Sequence, residues 1–189
     1  MNRALKLLER FIRVSVHAME APDFAENFRS IYDRATARYA RGSAAATLLD
    51  SADTAFLAAN GITAQHLFDY VEDRANYGEP SCDEALAIEV VRRDYFLNVQ
   101  NGLPSPTVLD PASLPPKTQS IQGIAWLPRL LPKARAKLRG ELPASMMYGC
   151  GGDRAFFQEH RMSGADFLGL VARNLDADAP IVAAVASTR

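Results

Sequence analysis

The sequence predicts a mainly α protein: a compact multi-helix domain with a proline-rich arm leading to a small helical C-terminal lobe. Three observations carry this. Apolar residues recur at three- and four-residue spacing along most of the chain. Helix start and stop signals bracket those stretches. Five prolines fall between Leu103 and Lys117, where helix and inner strand are both disfavoured.

Taken in order, Leu5, Leu8, Ile12, Val16 and Met19 predict a first helix from Arg3 to Met19. Pro22 and Asp23 break it and start a second, with Phe24, Phe28, Ile31 and Tyr32 on one side. Asp50 or Ser51 caps a short helix that ends at Asn60-Gly61. Thr63 caps the next, which Gly78 stops. Ser81 and Glu84 form a capping box at the head of the longest helix, closed by Gly102. That helix is apolar on two sides, Leu86, Val90 and Leu97 on one and Ile88, Val91, Tyr95 and Val99 on the other. It reads as a central helix with neighbours all round. Residues 103–120 form the arm and 121–189 the C-terminal helical lobe, within a single domain of 1–189. Ser120 to Trp126 has brief β-like character. Asp153 and Ser163 are expected to cap two further helices, and Asp178 starts a last short one.

An apolar fraction of 48% in 189 residues is ample for a core. The net charge of -1 supplies no global field, which argues against nucleic acid as a partner. Lys6, Glu9, Arg10 and Arg13 interrupt any signal-peptide core, and no apolar run is long enough for a membrane span. Two well-separated cysteines, Cys82 and Cys150, make no disulfide framework, so a cytoplasmic setting is expected.

The charges are segregated. From Gly42 to Asn101 there are ten acids and three bases, whereas Ile121 to Leu142 holds five bases and one acid. Arg129, Lys133 and Lys137 follow at four-residue steps and form a stripe on the outer face of a basic helix, with Arg135 and Arg139 in a second. Either this stripe meets the acidic segment of the same fold or of another subunit, or it binds an anion.

After the basic helix come Gly149, Cys150, Gly151 and Gly152, then a helix beginning near Asp153 and Arg154. Consecutive amides and a helix N-terminus can hold an anion. A thiol at that position beside a cation can also serve as a nucleophile, with His160 as a possible base. Against both stands the plain reading: a tight turn, Asp153 as helix cap and Cys150 as a small buried apolar residue. Burial is the expectation for Cys150, among Met147, Phe156 and Phe157. The turn carries no Walker A or dinucleotide fingerprint, and no cofactor is implied.

His66, Asp69, Glu72 and Asp73 lie close together on one helix, yet a single acidic helix cannot enclose a metal, and no metal is expected. His17 reads as a packing or surface residue. Glu89, Arg92, Arg93 and Asp94 lie within the most apolar helix. They are expected to form an internal ion-pair network, with a polar pocket near Tyr70 and Tyr95 as the sharper alternative.

The runs WLPRLLPKARAKLRGEL (126–142) and YGCGGDRAFF (148–157) resemble the bacterial domain of unknown function 5069 family. The likeness is best from about Thr54 to Leu170. The family has no established activity, so the resemblance implies no catalytic role for any residue.

Two function classes remain. One is a non-catalytic binding module for a small anion or an acidic protein surface, using Arg129, Lys133, Lys137, Gly151, Gly152 and Arg154, with homo-oligomer formation possible. The other is a thiol-dependent enzyme with Cys150 as nucleophile.

Overall fold

A computed structural model describes residues 23–188. The expected helix over Arg3 to Met19 and the reading of His17 lie outside these residues. The described chain is mainly α and compact. Its first helix, α1, occupies 23–39 and buries Phe24, Phe28, Ile31, Tyr32 and Ala35, the side the spacing picks out. A 3-10 turn at Ala45–Thr47 leads to α2 (Ser51–Ala59). Asp50 caps α2 by accepting from the Asp53 amide. Thr63 caps α3 (Ala64–Tyr77) in the same way, and Gly78 ends it at a φ of 82°. The capping box of Ser81 and Glu84 starts α4 (Cys82–Asn98).

After α4 the chain runs without regular structure to Ser120, apart from a 3-10 turn at Pro111–Ser113. It follows α5 (Leu127–Arg139): the Leu109 amide donates to the Glu141 carbonyl and Arg129 donates to the Pro115 carbonyl. Ser120–Ile121 pairs antiparallel with Ile124–Ala125. The turn between them puts Gln122 and Gly123 at positive φ, as a two-residue hairpin requires. Three helices complete the chain: α6 (Gly151–Glu159), α7 (Gly164–Arg173) and α8 (Asp178–Ala186).

The apolar interior has two clusters. One joins α1, α2 and α3 with Ala85 and Leu86 of α4. The other joins Ile88 and Tyr95 of α4 with the hairpin and helices α5 to α8. Helix α4 therefore takes part in both, packing on α5 and α7. Its expected two-sided pattern needs one correction. Val90 and Val99 are exposed, while Glu89 and Arg92 are buried in their stead. Burial follows the neighbours' positions, and these two charged residues face the seam where the clusters meet.

Helix α5 is the larger correction. Its basic side is not an outer face, for no residue from Leu127 to Arg139 is exposed. Packing on α4, on α7 and against residues 103–119 encloses it. Lys133 and Lys137 flank the Leu130–Ala134–Leu138 stripe closely enough to be drawn in with it, and both are buried.

Candidate functional site

Buried cations need partners, and each lysine has one. Lys137 Nζ stands 2.5 Å from Glu89 Oε1 and 3.2 Å from His66 Nδ1. The Tyr70 hydroxyl donates to the same Glu89 oxygen at 2.8 Å. Thus α3, α4 and α5 each supply polar groups to one buried seam. Burial lowers the Lys137 pKa, opposed by Glu89. Burial, then the Lys137 and Arg92 charges, pushes His66 well below its usual range. Burial, then the Glu89 charge, pushes the Tyr70 phenol well above its own. Arg92 lies over the Phe96 ring and against Gly140, with Nε and Nη1 unpaired. The ion-pair network expected among Glu89, Arg92, Arg93 and Asp94 is replaced by a different one: Glu89 pairs with Lys137 of α5, and Asp94 accepts from Asn98. Arg93 donates instead to Asn60.

Lys133 has a second set of partners. Its Nζ lies 2.6 Å from Asp153 Oδ2 and 3.1 Å from Cys150 Sγ. Asp153 is fully buried. It also accepts from the Gly149 amide at 2.9 Å and from the Trp126 indole at 3.0 Å. Asp153 is consequently not the helix cap. Cys150 occupies that position, Asp153 lies in the first turn of α6, and no side chain caps that turn. The carboxylate points back toward the turn and Lys133, leaving the first amides of α6 free of it.

Two backbone features hold this arrangement. Trp126 has φ 66° and ψ -31°, a rare conformation for a bulky residue. Gly152 lets the indole approach: a Cβ there would stand 2.4 Å from a Trp126 ring carbon. The indole hydrogen bond and this close fit keep the unusual backbone in place.

Cys150 is only partly buried, contrary to the expectation of an enclosed residue. It lies on the wall of a cleft of about 1140 Å³. Its lining includes Tyr70, Asp73 and Tyr77 of α3, Ala87 and Ile88 of α4, Gly149 and Cys150 of the turn, and Gly151, Arg154 and Phe157 of α6. Arg161 and Met162 also line it.

Of the residues singled out from sequence, Cys150, Gly151 and Arg154 line this cleft, whereas Arg129, Lys133, Lys137 and Gly152 do not. Arg154 is already occupied, bonded to Asp73 at 2.8 Å, Glu79 at 3.2 Å and the Gly149 carbonyl at 2.7 Å. The expected meeting of the basic stripe with acids holds for Lys137 and Glu89 within the segment 50–94. Lys133 finds its acid outside that segment, and Arg129 meets a backbone carbonyl. His160 is buried, packed at a tilt against the Phe156 ring and hydrogen-bonded with Thr188, and is not in the Cys150 cluster.

The chain matches no protein-family model, no curated protein and no solved structure. The resemblance noted from sequence therefore rests on the sequence itself. Among the described residues no cluster of His, Cys, Asp and Glu suits a metal, and no helix is long and apolar enough to cross a membrane.

The residue that sequence reasoning missed at Cys150 is Lys133. Arg154 is nearer in the chain and was the expected cation. The signal available was the angular position of Lys133 at the margin of the apolar stripe of α5.

Proposed function

We propose that the cleft is the active site of a thiol-dependent enzyme acting on a small molecule, with Cys150 as nucleophile. The observation that carries this is the 3.1 Å contact between Cys150 Sγ and Lys133 Nζ at the wall of the cleft. It fits the general arrangement of a nucleophile in reach of a charged partner that a third group orients. Here Asp153 orients Lys133, and Trp126 and the Gly149 amide orient Asp153. Lys133 supplies the counter-charge for a thiolate.

The substrate class follows from the walls. Ile88, Phe157 and Met162 suit an apolar body, and the volume admits a drug-sized molecule. The reacting atom is an electrophilic carbon, such as that of an activated acyl group. Oxygen charge developing there faces the uncapped N-terminal end of α6, where Gly151 lines the cleft.

The test is acyl transfer from a panel of aryl esters and thioesters with apolar acyl chains. The expected result is a burst of leaving group stoichiometric with protein, and an acyl group on the Cys150 peptide, both lost in Cys150→Ser. No burst from any member, with every ester untouched at Cys150, contradicts the reading.

A second reading keeps the cleft and drops the chemistry: non-catalytic binding of a small anion. The uncapped turn of α6 favours it, together with exposed Arg161 on the cleft, which has no ion-pair partner among the described residues. Binding of such an anion would survive Cys150→Ala.

A further inference from the structure

We propose that Cys150 and Lys133 form a reversible covalent cross-link under oxidation, making this pair a modification site as well as a reactive one. The inference rests on the thiol reading of the cleft. Three observations combine. Cys150 is partly exposed on an open cleft, so a small peroxide reaches its sulfur. The Lys133 amine stands 3.1 Å from that sulfur and is itself buried. Asp153 lies 2.6 Å from the same amine and can take its proton.

The chemistry balances in two steps. Hydrogen peroxide oxidises the thiol to a sulfenic acid, the sulfur taking one oxygen and the other leaving as water. Asp153 first takes one proton from the Lys133 ammonium, and the neutral amine nitrogen then attacks the sulfenic sulfur. An S–N bond forms, the S–O bond breaks, and hydroxide leaves as water with a second proton from that nitrogen, leaving a neutral S–NH link. The protein has lost two hydrogens in total. One equivalent of an external thiol attacks the sulfur and releases Lys133. A second restores the Cys150 thiol, and the two reductant molecules leave as a disulfide.

The geometry favours this route over further oxidation. A sulfenic acid persists until a nucleophile or a second peroxide reaches it. Here an amine is already in contact, held by a buried carboxylate that is fixed by two other donors. The link would remove the nucleophile and protect it at once.

The experiment uses the full chain carrying Cys82→Ser, so that a cystine cannot give the same mass. Protein treated with a small excess of hydrogen peroxide, at least the two equivalents that a sulfinic acid requires, is examined by intact mass and peptide mapping, then reduced with dithiothreitol. The expected product is lighter by two hydrogens, joins the peptides of Lys133 and Cys150, and returns to the starting mass on reduction. In Lys133→Arg, which keeps a cation beside Asp153, the expected product is the sulfinic acid, stable to dithiothreitol. Sulfinic acid as the main product in the chain that retains Lys133 overturns the proposal. So does a link to any other lysine. If Cys150 still gives an acyl burst with esters while peroxide yields no link, the cross-link fails and the thiol reading stands. If neither occurs, both fail.

Discussion

Lys137 and Glu89 meet 2.5 Å apart with almost no solvent contact on either side chain. They do so in the seam between two apolar clusters, with Tyr70 on the same carboxylate oxygen. The pair joins α4 to α5, and α5 also carries Lys133 toward Cys150. The buried ion pair therefore helps set the position of the helix that furnishes the candidate site.

Removing one partner of such a pair leaves an uncompensated buried charge, at a cost of about 3–5 kcal/mol. Lys137→Met is expected to lose stability in that range by urea unfolding. Combining it with Glu89→Leu is expected to recover most of the loss, because two apolar groups need no charge partner. A double variant as unstable as the single one would show that the seam depends on the charges themselves.

Two titrating groups near the seam act in opposite directions with pH. His66 is held well below its ordinary 6.5, so the unfolded chain binds the proton more readily. Its contribution is complete above 6.5 and is lost as pH falls below that value. Asp69 is raised from 3.8 to about 6 by burial, opposed by a hydrogen bond from Gln65. Its contribution is complete below 3.8 and is lost as pH rises through 6. The two slopes oppose each other between these values. Asp69→Asn should expose the His66 slope: stability falling as pH drops below about 6.5. A flat profile in that variant would mean that His66 is not buried in neutral form.

Gly152 is predicted to be intolerant for a steric reason. A methyl group there must displace the Trp126 ring, which contacts the position at 2.4 Å. Gly152→Ala is expected to cost about 1–3 kcal/mol, the usual range for overpacking. It should also shift the Trp126 fluorescence, as the indole moves away from Asp153. An unchanged spectrum and unchanged stability would show that the notch is not filled by the ring.

The local signals in the sequence resolve the helices well. Asp50, Thr63, Ser81 and Ser163 all cap the helices they precede, because a cap depends on neighbours a few residues away. The spacing of Phe24, Phe28, Ile31 and Tyr32 picks out the buried side of α1 for the same reason. The burial of Lys133 and Lys137 depends instead on carboxylates from α6 and α4, 20 and 48 residues away. The charge segregation points to acids as partners, and Glu89 is one of them, but a helical wheel of α5 puts the lysines on an outer face and does not disclose that both are buried. Asp153 misleads in a related way. It has the composition of a cap, yet Lys133 and the Trp126 indole draw its carboxylate inward, and Cys150 takes the cap position. Cys150 and the glycines were thus legible as a place of interest, and their cation was not.

The central claim is that Lys133 makes Cys150 a reactive thiol at the cleft. The direct measurement is the iodoacetamide alkylation rate of Cys150 at neutral pH in a Cys82→Ser background, compared with free cysteine. A second protein carries Lys133→Met with Asp153→Leu, so that no orphan charge remains. The account predicts alkylation faster than free cysteine, falling by roughly tenfold or more when the charge partner is removed. A rate at or below that of free cysteine, unchanged in the double variant, would contradict it.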